Sequence, residues 1–234
     1  MRLISFPFRP ATMLCVLALC SSTAGAANPL DALSNQDASN GLKAALEAGS
    51  TAAVAKLGVE NGFLNNEKVK IKLPGILEQA KPLLKMTGRG QQLDDLVVSM
   101  NHAAESAVPL AKPLLLDAVK SMSVTDAKNI LSGGDTSVTY FFRQKTSAPL
   151  AVKFLPIVKS VTDRSGLSSK YNSTMSQIGK TGLVPQQQST VEGYVTDRAL
   201  DGLYLMIGEE EKAIRSNPLG YGSKIIGKVF GSLK

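Results

Sequence analysis

The chain has 234 residues, of which 44% are hydrophobic and 19% charged, and it carries a formal net charge of +7. That length can bury a sizeable core without disulfides. Only 5% of residues are aromatic, there is no Trp and no long Lys/Arg run, so a nucleic-acid-binding surface is poorly supported.

The first stretch, "MRLISFPFRPATMLCVLALCSSTAGAANPL", reads as an address. Arg2 and Arg9 form a basic start with no acid, and "ATMLCVLALC" is an apolar run too short to span a bilayer. Ala24, Gly25 and Ala26 make a cleavage site of small residues, so residues 1–26 are expected to be a removed secretory signal peptide and residues 27–234 a single domain. The expected location is periplasmic. The alternative is a lipid anchor at Cys20, but bulky Leu19 stands where such a signal has a small residue. Cleavage after Ala26 removes Cys15 and Cys20, the only cysteines, and two basic residues, which leaves a mildly basic chain with no thiol chemistry.

From there the pattern is helical. "SNQDASNGLKAALEAGSTAAVAKLG" opens with Ser34 and has Asp37 three residues on, a variant of the capping box. Leu42, Leu46, Ala53 and Leu57 then share one face. "VKIKLP" alternates apolar and charged residues, so 69–73 is read as a short extended segment stopped by Pro74, with no second run to pair with it. "QQLDDLVVSMNHAAESAV" lines up Leu93, Leu96, Val97, Met100 and Ala104. Ser123 and Asp126 repeat the capping logic before "TDAKNIL". "TSVTYFFRQKT" and "LAVKFLPIVKSVTD" follow, and then a weaker pattern, "SSKYNSTMSQIG". "TVEGYVTDRALDGLYLMIGEEEKAIRSN" is the longest helix, capped by Thr190 and stopped at Asn217 and Pro218, and an amphipathic "YGSKIIGKVFGSL" ends the chain. "AKPLL" occurs at 80–84 and 111–115, too short an echo to establish a repeat. Pro82, Pro109, Pro113, Pro149 and Pro156 are read as starting, stopping or kinking helices. The expected fold is all-α, a single-domain irregular bundle with Pro-bent helices.

Four separated motifs, "LSNQDASNGLKAALEAG", "NGFLNN…VKIKLP", "AKPLLLDAVKSMSVTDAKNILSGGDTSVTYFFRQKTSAPL" and "YVTDRALDGLYLMIGEEEKAIRSNP", occur in order. With them the chain resembles the bacterial domain-of-unknown-function family 4197 over roughly residues 30–231. The resemblance implies an exported, mostly helical envelope protein and brings no activity or catalytic residue. It also implies that an Arg commonly stands where this chain has His102.

His102, the only histidine, forms H-x-x-E with Glu105, and Asp95 lies two turns earlier. A zinc site or a di-iron bundle needs more nitrogen or sulfur ligands than this chain has, so His102 is expected to be a dispensable, partly exposed helix residue. There is no G-x-S-x-G and no P-loop, since "SGGD" has no following Lys. No catalytic residue, metal or cofactor is assigned.

Two stretches remain. In "GGDTSVTYFFRQKT", Gly133 and Gly134 permit a sharp turn, Asp135 is expected to cap the next helix, and Tyr140, Phe141 and Phe142 cover most of a helix circumference. Arg143 and Lys145 would then share their buried surroundings. In "RALDGLYLMIGEEEKAIRSN", Asp201 is the one charge between Ala199 and Ile207, and a buried carboxylate needs a partner. Arg143 is expected to answer Asp201 in the interior, while Gly202 and Gly208 let another helix approach and "EEEK" forms a solvated face, with Glu211 and Arg215 at the i,i+4 spacing that favours a pair. Asp135, Thr136, Tyr140, Arg143, Lys145 and Asp201 are therefore the candidate ligand-binding residues.

The leading expectation is a non-enzymatic envelope protein that holds an apolar or amphipathic small molecule, or an envelope protein partner, in a helical pocket. A hydrolase or lyase using carboxylates and Arg is the second reading. A structural protein, loosely associated with membrane surfaces through its basic C-terminal helix, is the third.

Overall fold

A computed structural model describes residues 35–88, 90–134, 136–164, 168–169, 171–172, 190–221 and 223–231. The expected signal peptide with Cys20, the Ser34 cap, Asp135 and most of "SSKYNSTMSQIG" lie outside the described residues.

Among these residues the fold is all-α, with no strand. In chain order the helices are α1 (Asn35–Leu57), α2 (Gly75–Met86), α3 (Gly90–Ala107), α4 (Ala111–Lys120), α5 (Val124–Ser132), α6 (Ser137–Thr162), α7 (Val191–Ser216) and α8 (Lys224–Gly231). Short 3-10 turns at Val108–Leu110 and Pro218–Tyr221 join α3 to α4 and α7 to α8. Helix α7 packs along α6 and α1, and α3 packs along α6. Leu42, Leu46 and Leu57 of α1, Leu93, Leu96 and Met100 of α3, Phe142 and Phe154 of α6 and Tyr204 of α7 are fully enclosed in this core. Truncating one of these phenylalanines to Ala costs about 3–5 kcal/mol, so they hold the framework on which the polar sites sit.

Local chemistry explains the helix starts. At α5 the Ser123 hydroxyl accepts from the Asp126 N–H at 3.0 Å and the Asp126 carboxylate accepts from the Ser123 N–H at 3.0 Å. Bonding to that backbone N–H holds the Asp126 carboxyl below its usual range. At α7 the Thr190 hydroxyl accepts from the Gly193 N–H at 3.0 Å.

Helix α6 runs unbroken through Pro149 and Pro156. The two segments read from sequence are one helix, because Leu150, Phe154 and Val158 continue the same buried stripe as Phe142 and Thr146. Burial of that stripe outweighs the hydrogen bonds the two prolines cannot donate. At the C-terminus, Ile226, Val229 and Phe230 of α8 are buried, with α1 as the helix they pack on. The apolar face of that amphipathic helix is already covered.

Residues 70–74 form no helix and pair with no strand. Their backbone is satisfied by side chains instead. The fully buried Asn101 accepts from the Ile71 N–H at 2.8 Å and donates to the Ile71 carbonyl at 2.9 Å. Tyr194 donates to the Lys72 carbonyl at 3.1 Å. An amide side chain on α3 and a phenol on α7 thus hold the segment from its two edges.

Candidate functional site

Helix α7 is buried nearly all round except for one stripe. Arg198, Asp201, Leu205, Gly208 and Lys212 recur at helical spacing, and these residues are exposed or half-exposed. Asp201 lies at the centre. Its Oδ1 accepts from Arg143 at 2.6 Å and its Oδ2 is 2.7 Å from Arg198, so one carboxylate is shared by two guanidinium groups.

Each guanidinium has a second support. Arg143 Cζ lies 5.5 Å from the centroid of the Tyr204 ring, and Arg198 Cζ lies 5.9 Å from that of Tyr194. Both rings are fixed in turn. The Tyr204 hydroxyl is 2.8 Å from the Thr146 hydroxyl, which donates to the Phe142 carbonyl at 2.7 Å. Tyr194 is anchored to the 70–74 segment through its hydroxyl. Burial pushes both phenols above their ordinary range. Asp197 joins the cluster one turn before Asp201. Burial raises its carboxyl, and Asp201 adds to that shift while Arg198 and Arg143 oppose it.

Asp201 and Leu205 line two adjoining surface clefts. One, of about 290 Å³, lies between α7 and the basic segment Lys68, Lys70 and Lys72. Its depth depends on Gly202. A Cβ there would come within 2.9 Å of the Phe63 ring and 3.1 Å of Val69, so only glycine lets the loop pack this close to α7. The other cleft, of about 380 Å³, lies between α6 and α7 and includes Thr136, Thr139, Arg143 and Lys212. Both combine a basic rim with apolar surface from Leu205. Lys68 of the first cleft pairs with Glu209, which lines the second, and Lys70 lies 3.6 Å from Glu67.

The structure brings together Thr136, Arg143 and Asp201 from the expected set. Tyr140 is 62% exposed and bonded to Gln144, and Lys145 is exposed, near Asp126 rather than at the clefts. The expected interior ion pair is corrected. Arg143 and Asp201 do meet, but their side chains are 50% and 32% exposed. The reason is helical phase. Phe141 and Phe142 face the core while Tyr140 and Arg143 face outward, and Asp201 falls on the one open stripe of α7. The glycines are also refined: Gly208 does face a helix, with Thr139 of α6 3.2 Å from its Cβ position, but Gly202 faces a loop. "EEEK" is not a solvated face either. Glu210 and Glu211 are buried and paired with Lys56 and Arg215, because α1 and Arg215 cover them; Glu209, paired with Lys68, and Lys212 stay on the solvent side.

Sequence reading missed Arg198, Tyr194, Leu205 and the lysines at 68–72 as parts of the site. The Arg198–Asp201 spacing of three was a usable signal. The distance of α7 from residues 68–72 along the chain hid the rest.

A second polar cluster lies on α3. Glu105 is 5% exposed and accepts from the backbone N–H groups of Asn61 at 3.1 Å, Phe63 at 2.9 Å and Leu64 at 3.1 Å. His102 Nδ1 lies 2.7 Å from Glu105 Oε2. This carboxylate ties down a loop in which Asn61 adopts φ +64°. Among the described residues no group of three or more His, Cys, Asp and Glu side chains is placed to hold a metal, and no helix is long and apolar enough to cross a membrane.

A family model described as "Protein of unknown function (DUF4197)" matches residues 32–231. No curated protein and no solved structure matches the chain.

Proposed function

The chain belongs to the DUF4197 family of proteins of unknown function, and from that premise we propose that it is an exported, non-catalytic envelope protein that holds an amphipathic ligand or partner segment in the clefts beside Asp201. One observation carries the reading. The stripe of α7 left open is also the floor of two clefts, with an apolar centre at Leu205 and a rim of arginines and lysines. Leaving Leu205 41% exposed between charged neighbours has a use if an apolar group covers it.

The other readings have less behind them. A hydrolase using two carboxylates would leave both free across an opening, whereas Asp197 and Asp201 follow each other along one helix, and in the cleft that brings Glu60 and Glu105 together Glu105 is taken up by backbone N–H groups. Membrane docking through α8 would need the apolar face that α1 covers. The signal-like pattern of residues 1–26, a basic start, an apolar run and small residues at 24–26, supports the envelope location.

The test is native mass spectrometry of the protein purified from its own envelope. The expected result is a co-purifying amphipathic molecule or segment on the natural chain. Leu205→Asp, a change at an exposed position, should lose it while the protein stays folded. Equal retention by Leu205→Asp, or no bound species on the natural chain, would defeat the reading.

A further inference from the structure

We propose that the polar group recognised at this site is a carboxylate, and that Asp201 occupies its place in the unliganded protein. The inference rests on the binding reading above and names the chemistry of its ligand: an alkyl carboxylate whose head meets Arg143 and Arg198 and whose chain lies over Leu205.

The geometry is that of a carboxylate clamp already filled from within. Arg143 takes one oxygen of Asp201 at 2.6 Å and Arg198 takes the other at 2.7 Å. Planar guanidinium groups suit carboxylate oxygens better than a lysine ammonium does. Neither arginine depends on Asp201 alone for its position, since Arg143 rests on Tyr204 and Arg198 on Tyr194. Both are substantially open to solvent, at 50% and 43% exposure, so an entering anion can reach them. Asp201 lines both clefts, so an anion displacing it from the arginines reaches Leu205 from either side. A purely structural ion pair needs one arginine, and it needs no apolar side chain left exposed one turn further on. A second guanidinium, two aromatic supports and an adjoining exposed leucine are together the elements of a binding site for an amphipathic anion. Lys72, at the rim of the first cleft, adds attraction for a negative ligand and is not ion-paired among the described residues.

The decisive variant is Asp201→Asn, which removes the competing charge and keeps the side chain's size. Titration calorimetry with hexanoate, acetate and hexanol reads the outcome. Hexanoate is expected to bind the natural protein weakly and Asp201→Asn at least tenfold more tightly, which corresponds to about 1.4 kcal/mol. Acetate should bind less than hexanoate, hexanol should not discriminate the two proteins, and adding Arg198→Ala to Asp201→Asn should reverse the gain. Asp201→Ser, which removes the same charge with a smaller group, should reproduce the order. Hexanoate binding that is unchanged or weaker in both Asp201 variants would overturn the proposal, as would a gain that survives Arg198→Ala. Hexanol and hexanoate binding alike in every variant would overturn the carboxylate assignment and leave the binding reading standing. No binding of any probe, together with no co-purifying species, would overturn both.

Discussion

Two carboxylates one fold apart show what burial does to the same functional group. Glu105 on α3 is enclosed and accepts three backbone N–H groups, so both its oxygens are committed to holding residues 61–64. Asp201 on α7 is a third exposed and meets two guanidinium groups that water also reaches. The first acts as a structural bolt, because three backbone donors of one loop converge on it. The second contributes little to folding, and its partners are free to exchange it for another anion. The contrast locates function by asking which polar group the fold could lose.

The strongest way to break that contrast is Glu105→Ala. A backbone N–H left buried without an acceptor costs about 1–3 kcal/mol; the Phe63 N–H is buried while those of Asn61 and Leu64 are only partly so and cost less, so the three together should cost about 3–5 kcal/mol. Urea unfolding should show a large drop in midpoint with an unchanged slope. A loss below about 1 kcal/mol would mean that residues 61–64 find other acceptors and that Glu105 is no bolt. Asn101→Ala comes next, at about 2–3 kcal/mol, since it strips both partners from Ile71. This change also links the two regions. The 70–74 segment forms one wall of the first cleft, so amide exchange at Ile71 should accelerate and ligand binding should weaken. Unaltered exchange at Ile71 would show that the segment is held by something else.

The third prediction concerns the phenols that support the arginines. Burial raises Tyr194 and Tyr204 above the ordinary value. Their unfolded forms ionise near pH 10, so the folded state holds these protons longer. Their contribution to stability is complete below about pH 10 and is lost as pH rises through the higher folded values. Tyr204→Phe should flatten that alkaline decline and cost about 1 kcal/mol at neutral pH through the lost bond to Thr146. An alkaline limb identical in the variant would show that Tyr204 does not contribute to it.

Much of the framework was legible from residue pattern alone. The α5 and α7 caps, the stop at Asn217 and Pro218, and the all-α class follow from local chemistry, which does not depend on distant contacts. The pairing of Arg143 with Asp201 was also legible, because two lone charges in apolar segments call for each other. Its depth was not. Apolar neighbours in sequence suggested burial, but helical phase decides it, and Asp201 shares a stripe with Arg198 and Leu205 rather than with Leu200 and Leu203. Glu210 and Glu211 failed in the opposite sense, since a charge run reads as solvated until α1 is laid over it. The role of Asn101 was hidden as well. Nothing local marks an amide on α3 as the partner of a backbone thirty residues away.

The smallest expected effect is the most informative about the site. If Arg143 and Asp201 were an interior pair, breaking it from one side would strand a buried charge and cost about 3–5 kcal/mol. At the exposures observed, solvent replaces either partner, and the coupling between the two should be at most about 1 kcal/mol. Asp201→Ala, Arg143→Ala and the double variant form a cycle that measures this term separately from the packing of the Arg143 stem on Tyr204. All three proteins should unfold within about 1 kcal/mol of the natural chain, and added salt should shrink the coupling further, because exposed pairs are screened. A coupling of several kcal/mol that persists in high salt would make Asp201 a second bolt, and its equivalence to an exchangeable anion would be gone. A small, salt-sensitive coupling leaves two aromatic-seated guanidinium groups facing a cleft, at nearly no cost to the fold when their internal partner is removed. That is the arrangement required if the partner is to be exchanged for a ligand.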